Sequence, residues 1–344
     1  MKLAWIPMLQ DITGGYGKIG QYLQLALSTA GVEFCTFREA DWDWRVAVGG
    51  PRAWLVDRQA ARTPDVIWHT MFEARPLPPD WAPVLNRCAA IWTPAAWNVE
   101  VFRESGVTAP IYVGGYGVDP AEFGPELFER RDVTDETYTF MWAGTSLGDG
   151  TVLGDRKGGD LVLAAFRKLN LSHSRLILKA SGSSAIRRLN GDERIMLIAD
   201  SVDVRHYAAL LALADCFVYP SHGEGFGLQP LEAMAMGLPV IAPAYSVMTE
   251  FITPETALVL PHYGEEPAQQ YRAIYEYPCV WARLKVDDVA DRMQWCYAQR
   301  AQAAALGRQA AAHVAREWTW QQAGQRGRAL LHAAQGAVQP HNST

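Results

Sequence analysis

The sequence lacks the features of a membrane, nucleic-acid-binding or disulfide-built protein. Nowhere does it approach the ~20 uninterrupted apolar residues that span a bilayer. Its opening, Met1-Lys2-Leu3-Ala4-Trp5-Ile6-Pro7, runs into Gln10-Asp11 too soon for the apolar core of a signal peptide. Positive charge is scarce: 31 Lys and Arg against 37 Asp and Glu leave a net charge of −6, and no basic face for gripping nucleic acid. The five cysteines, Cys35, Cys88, Cys216, Cys279 and Cys296, are odd in number, widely spaced and set in apolar segments. With no CxxC and no Cys/His cluster, neither a disulfide framework nor a structural zinc site is expected. Reduced thiols in a cytoplasmic protein are expected instead. No GxxxxGK[ST] and no internal repeat occur, which excludes a P-loop and a solenoid. What the chain does have is length: 344 residues, enough for two domains at about 150 each. It also has 13 tryptophans, nine of them in the first 142 positions.

Short apolar or β-branched runs alternate with helix-period segments, the pattern of a doubly wound α/β fold. Strands are predicted at Leu3–Ile6, Val32–Phe37, Asp65–Trp68, Ala89–Trp92, Ile111–Val113, Tyr138–Trp142, Arg175–Lys179, Ile195–Ile198, Cys216–Tyr219, Pro239–Ala242 and Ala257–Leu260. Helices are predicted at Ile19–Ala30, Asn98–Glu104, Asp160–Leu169, Val204–Ala214 and Leu228–Met236. After Leu260 the alternation stops, and Val286–Gln299, Ala301–Trp318 and a stretch to about Gln335 read as helices. The join between two Rossmann-like units falls in Asp119–Glu136, where Pro120, Gly124 and Pro125 precede a charged, strand-poor segment.

In open α/β sheets ligands bind beyond the carboxyl ends of the strands, and the glycines of this chain fall there. Thr13-Gly14-Gly15-Tyr16-Gly17-Lys18-Ile19-Gly20 follows the first strand. Glycine lets backbone approach a ligand closely, and a helix N-terminus favours an anion. Gly15-x-Gly17-x-x-Gly20 also matches the dinucleotide fingerprint, with Glu39 as its ribose acid, although Met8–Gly14 is a longer approach than that fingerprint uses. A phosphate- or acceptor-facing loop, a dinucleotide site and a plain glycine turn all stay open. Gly154-Asp155-Arg156-Lys157-Gly158-Gly159 follows the strand that Trp142 closes. Adjacent Arg and Lys at the mouth of a helix can neutralise a diphosphate leaving group without a metal; a solvated charge pair is the plainer reading.

The third cluster is Tyr219-Pro220-Ser221-His222-Gly223-Glu224-Gly225-Phe226-Gly227-Leu228-Gln229-Pro230-Leu231-Glu232, a strand end, a tight glycine loop and a helix. Glu224 lies on the loop and Glu232 on the helix. Ionised carboxylates suit paired sugar hydroxyls, because each accepts several hydrogen bonds. The backbone N–H groups of Gly225, Phe226, Gly227 and Leu228 would face phosphate oxygens. Two lesser signals remain. Asp41-Trp42-Asp43 has the spacing of a DxD metal motif, but stands alone, and no metal is assigned to it. Met71-Phe72-Glu73 follows His69, with Glu73 either facing an acceptor or solvated.

With these residues in place, the chain resembles the family 4 retaining glycosyltransferases of the GT-B fold, relatives of glycogen synthase and the phosphatidylinositol mannosyltransferases. Their hallmark Glu–x7–Glu is matched by Glu224 and Glu232 within PSHGEGFGLQPLEAMAMGLPVIA. RKGGDLVLAAFRKL, VRHYAALLALADCFVYPS, TPAAWNVEVFRESGV, YGVDPAEF and the EWTW before the last helix extend the likeness over most of the chain. The resemblance implies a first domain of 1–130 plus 319–337, on the acceptor side, and a second of 131–318 that binds the nucleotide sugar. It implies that Glu232 holds the ribose, Glu224 a hydroxyl of the donor sugar, and Gly225 to Leu228 the sugar and diphosphate. Lys157, with Arg156, would neutralise the diphosphate, and Gly15 would line the cleft opposite, with Gly14 and Tyr16 on the acceptor side. His69 stands where many members carry a histidine against the transferred sugar, or is a strand-end histidine without a role. Two departures stand out: Gly144-Thr145 replaces a Gly-Arg pair, which leaves Thr145 at a donor-side position, and Gly115-Tyr116-Gly117 replaces Pro-His-Gly.

The expected activity is therefore a retaining, metal-independent transfer of sugar from a nucleotide-diphosphate sugar, with no cofactor, to an acceptor hydroxyl on a glycan, a lipid-linked molecule or a small molecule. A non-catalytic nucleotide-sugar-binding relative, suggested by Thr145, and an NAD-dependent oxidoreductase, suggested by the first glycine cluster, are the other two classes. Trp68, Trp81, Trp92 and Trp97 are candidates for a stacking platform or for core.

Overall fold

The structure is a computed structural model and describes residues 1–7, 15–35, 42–51, 66–128, 136–144, 156–180, 191–268 and 277–337. Gly14, Glu39, Asp41 and Thr145 lie outside the described residues. The chain divides into two units, Met1–Gly117 with Trp318–Thr344, and Val118–Glu317.

The first unit runs β1 (Lys2–Pro7), α1 (Gly15–Thr29), β2 (Glu33–Cys35), β3 (Trp44–Val48), β4 (Val66–His69), α2 (Trp81–Leu85), β5 (Ala90–Thr93), α3 (Ala96–Glu104) and β6 (Ile111–Val113). Its six strands are parallel, in the order β2-β1-β3-β4-β5-β6. Strands β3, β4 and β5 are buried along their whole length, as a parallel sheet covered on both faces requires. β3 is the one strand of this sheet that the sequence pattern does not reveal. Arg45 interrupts its apolar run, and the acids at 41 and 43 and Gly49-Gly50-Pro51 make its surroundings read as turn. It nonetheless lies between β1 and β4, near the middle of the sheet.

The second unit runs β7 (Tyr138–Gly144), α4 (Gly159–Leu169), β8 (Ser174–Ala180), β9 (Ile195–Ile198), α5 (Val204–Ala212), β10 (Cys216–Val218), α6 (Leu228–Ala235), β11 (Val240–Pro243), a 3-10 turn (Ser246–Glu250) and β12 (Leu258–Leu260). The short antiparallel pair β13 (Glu265–Pro267) and β14 (Val280–Ala282) and the helices α7 (Val286–Ala298) and α8 (Arg300–Glu317) complete it. The parallel sheet has the order β12-β11-β10-β7-β8-β9. α4 shows why these segments are helical. Val162, Leu163, Ala165 and Phe166 form one buried stripe, Asp160 lies in its first turn, and Arg167 and Lys168 lie in its last, each complementing the helix dipole. In α5, Asp203 caps the first turn by accepting the His206 N–H at 2.8 Å, a contact worth about 1 kcal/mol.

The final helix, α9 (Trp320–Ala337), belongs to the first unit and packs along α1. Its Leu330, Leu331 and Ala334 share a core with Leu3, Leu23, Leu27, Val46, Ile67 and Trp92. Trp68, Trp81 and Trp92 are likewise core, with at most 4% exposure, so none of the three offers a face on which a ligand could stack. Trp97 is only partly covered.

Candidate active site

In the second unit the strand order reverses between β7 and β10, and ligands of such sheets bind at that switch point, beyond the carboxyl ends. The segments that follow these two strands meet there. The His222 N–H donates to the Arg156 carbonyl at 2.8 Å, and Ser221 Oγ lies 3.1 Å from the same oxygen. From below, the Trp142 indole N–H donates to the Lys157 carbonyl at 2.9 Å. Gly158, with φ +69°, is the N-cap of α4, and a Cβ there would lie 2.1 Å from the Pro220 carbonyl oxygen. Gly227, with φ +92°, is the N-cap of α6. Neither cap supplies a side-chain acceptor, so both helices present first-turn N–H groups to the crevice region.

Glu224 is the centre of this arrangement. Its Oε1 lies 3.0 Å from Lys157 Nζ and 3.0 Å from Arg156 Nη1, and it accepts from the Tyr219 hydroxyl at 2.9 Å and the Ser221 hydroxyl at 2.7 Å. Its N–H donates to Ser246 Oγ at 3.0 Å. Among the described residues none donates to Oε2. Burial by itself would raise this carboxyl, but the adjoining Arg156 and Lys157 charges override it and hold it down at about 2. Glu224 is therefore an ionised, immobilised carboxylate with one free oxygen. Arg156 also donates to the Gly223 carbonyl. Two cations thus meet one carboxylate.

Glu232 is buried on α6, where its charge adds to burial in raising the phenol of Tyr207 on α5. Phe226 is buried against Phe251, at 5.7 Å between ring centroids, so its side chain fixes the loop. Leu228 opens α6. Five of the residues in this cluster carry no role in the sequence reading: Trp142, Tyr219, Ser221, Gln229 and Ser246. The signal for Tyr219 and Ser221 was their place beside Pro220 at the end of a strand next to the switch point. The β13–β14 pair was also missed, because Glu265-Glu266-Pro267 does not read as strand. It braces the loop from behind: His222 Nδ1 is 2.7 Å from the Ala282 carbonyl and 3.3 Å from Glu266, and its ring lies over Trp281.

In the first unit, His69 ends β4 and is fully buried, with Nε2 2.6 Å from the Tyr116 hydroxyl and its ring packed edge-on to Trp92. Burial depresses its pKa to about 3, so it is neutral at pH 7. Tyr16 donates from its hydroxyl to the Met71 carbonyl at 3.0 Å, and Asn98 donates to the Phe72 carbonyl, which fixes the segment leading to the half-buried Glu73. Gly15, Gly17 and Gly20 all lie inside α1 rather than in a strand-to-helix turn, and a Cβ at Gly20 would meet nothing within 4 Å. A dinucleotide fingerprint needs its third glycine for close helix packing, and that need is absent at Gly20. Asp43 accepts the Lys2 N–H at 2.8 Å, a structural use of half the DxD pair.

The two units have the fold of solved GT-B glycosyltransferase structures. Residues 149–276, which include Arg156, Lys157, Glu224 and Glu232, match the family model described as Glycosyl transferases group 1. One curated relative is the GDP-mannose-dependent monoacylated alpha-(1-6)-phosphatidylinositol monomannoside mannosyltransferase of Corynebacterium glutamicum, 28% identical over 222 residues, 61% of this chain and 53% of that protein. Another is the lipopolysaccharide core biosynthesis mannosyltransferase LpsB of Rhizobium meliloti, 38% identical over 71 residues, 20% of this chain and 19% of that one. The chain spans about half or less of the length of the curated relatives it matches. Among solved structures, Anabaena HepE in complex with UDP and glucose has the same fold, with a TM-score of 0.71 at 14% identity over 97% of this chain and all of that one. Sucrose-phosphate synthase from Thermosynechococcus elongatus superposes with a TM-score of 0.65 at 17% identity, over 97% of this chain and 81% of that one.

Proposed function

We propose that the protein is a retaining glycosyltransferase that works without a metal ion, moving a sugar from a nucleotide-diphosphate sugar to an acceptor hydroxyl. The observation that carries this reading is the convergence of Lys157 and Arg156 on Glu224 at the switch point, beside two helix N-termini. In this reading the first-turn N–H groups and the two cations take up the charge that develops on the leaving diphosphate. Glu232 accepts from the ribose hydroxyls and Glu224 Oε2 from a hydroxyl of the sugar. The bond from the anomeric carbon to the diphosphate oxygen breaks, and the acceptor oxygen bonds to the same face. The acceptor's proton passes to the departing phosphate oxygen. A carboxyl held at about 2 is a poor proton acceptor near neutrality, and one pinned by four partners cannot swing to attack, so Glu224 serves neither as general base nor as nucleophile. The protein contributes position and electrostatics.

One relative's name makes GDP-mannose, and a solved neighbour's title makes UDP-glucose, the donors to test first. Nucleotide release and product anomer are measured with each donor against glycan, lipid-linked and small-molecule acceptors. Transfer with retention, undiminished in excess EDTA, is expected. Glu224→Ala and Lys157→Ala are each expected to lose at least about tenfold in kcat, about 1.4 kcal/mol. Donor binding without transfer or hydrolysis would make the protein a binding relative, and activity lost to EDTA and restored by Mn2+ would end the metal-free reading.

A further inference from the structure

Tyr219 is the first residue after β10 and is fully buried, its ring stacked on Phe217 at 5.7 Å and 20°. Its hydroxyl is shared by three groups: the Lys157 ammonium, Glu224 Oε1 at 2.9 Å and the Gln229 side-chain amide at 2.9 Å. A tyrosine hydroxyl has one proton to give and two acceptor sites. Lys157 only donates, so the hydroxyl accepts there. Glu224 is ionised and only accepts, so the single proton goes to it. The remaining acceptor site then requires the Gln229 amide to present its NH2, an orientation that only the network can assign. All three capacities of the hydroxyl are then filled. Burial, with the charge of Glu224, pushes the phenol well above its usual range, which favours the protonated hydroxyl.

We infer that Tyr219, backed by Gln229, is a positioning residue: its hydroxyl ties the Lys157 ammonium to Glu224 Oε1, so that Oε2 is the carboxylate oxygen turned to the donor. The inference rests on the glycosyl-transfer reading above. A lysine ammonium ends a flexible four-carbon stem, and a carboxylate can rotate. Without a fixed third point, the pair could close on itself by several geometries. The hydroxyl selects one before the donor arrives, which is the form of preorganisation that raises kcat more than it lowers KM. Ser221 alone does not fulfil this role, since it touches Glu224 and the Arg156 carbonyl but not the Lys157 ammonium.

Tyr219→Phe tests this with little disturbance, because the ring remains under Lys157, whose Nζ lies 5.1 Å from its centroid. At saturating donor, kcat is expected to fall by about tenfold or more, with the donor KM changed by less than about threefold. Gln229→Leu should give a smaller fall, at least about threefold. The double variant should be no slower than Tyr219→Phe, since both act through one hydroxyl. Calorimetric titration with the matching nucleoside diphosphate checks that the site is intact. Wild-type transfer with Tyr219→Phe above half the wild-type kcat overturns the inference alone, as does additivity in the double variant. If Tyr219→Phe does not fold, Gln229→Leu decides: a wild-type rate overturns the inference. Wild-type protein that transfers no sugar from any donor overturns the parent reading and the inference with it.

Discussion

Replacing Lys157 with methionine keeps the length and apolar stem of the side chain and removes its charge. The ammonium lies 3.0 Å from Glu224 Oε1, and the two side chains are 16% and 7% exposed. Removing one partner of a buried pair leaves the other uncompensated and costs about 3–5 kcal/mol. Arg156 still faces the same oxygen, which puts the expected loss near 3 kcal/mol. Proton linkage bounds the figure from above, because Arg156, Lys157 and the Ser221 hydrogen bond share the depression of Glu224. The Glu224 carboxyl is at about 2 in the folded chain against an ordinary value of 4.5. A depressed acid contributes stability that is fully present above pH 4.5 and is lost as pH falls through about 2, on the order of 3 kcal/mol. In Lys157→Met the folded value moves up toward 4.5, so the variant starts less stable at pH 7 and loses less between pH 4.5 and 2. Lys157→Met/Glu224→Gln, which removes the stranded charge, should recover most of the deficit. Ten of the 13 tryptophans lie in the first unit, so fluorescence would report the wrong part of the chain. Hydrogen exchange of peptides from β7 to α4 and from β10 to α6 reads the second unit directly. A single variant within about 1 kcal/mol of wild type, or a double variant as unstable as the two singles summed, would refute the reasoning.

Two other expectations concern the first unit and the loop geometry. His69 is neutral and buried with its pKa near 3 against an ordinary 6.5, so its contribution is complete above pH 6.5. That contribution declines as pH falls toward 3, at about 1.4 kcal/mol per pH unit; His69→Gln should flatten the slope between pH 6 and 4 in urea unfolding followed by tryptophan emission, and an unchanged slope would contradict the assignment. Glycine-to-alanine changes should have opposite signs at two positions, read by calorimetry. Gly158→Ala meets the Pro220 carbonyl oxygen at 2.1 Å in a left-handed conformation and should cost at least about 3 kcal/mol, whereas Gly20→Ala meets nothing within 4 Å and should add about 0.5–1 kcal/mol. A destabilised Gly20→Ala would restore the dinucleotide reading.

Most strands were legible because a parallel sheet covered on both faces demands continuous apolar runs. Ile111–Val113 and Ile195–Ile198 have the predicted bounds, and β7 and β8 differ from prediction by one or two residues. β3 was not legible for the same reason: Arg45 breaks its run, and only the tertiary setting buries the arginine to 8% exposure. The first glycine cluster misled in a different way. Glycine spacing marks a turn only if the helix begins after it, and α1 begins at Gly15, four residues ahead of the predicted start. Nothing in the local composition distinguishes glycine in a helix start from glycine in a loop.

The same limit explains what could be read of the site. Glu224, Glu232, Arg156 and Lys157 were visible because charged side chains beside glycines at strand ends have few structural uses. Their mutual arrangement was not, because it depends on residues 67 and 68 positions apart in the chain closing at one point. Thr145 illustrates the difference. By sequence, a threonine where the family pattern has arginine puts the two-cation clamp in doubt and keeps a binding relative open beside the enzyme. Arg156 Nη1, however, lies 3.0 Å from the same carboxylate oxygen as Lys157. A charge count at that oxygen therefore returns two cations, Arg156 and Lys157. Which residue supplies a charge matters less than whether it arrives within hydrogen-bonding distance of the group it must balance, and here the pinning of residues 156 and 157 to the loop at 221–224 determines that.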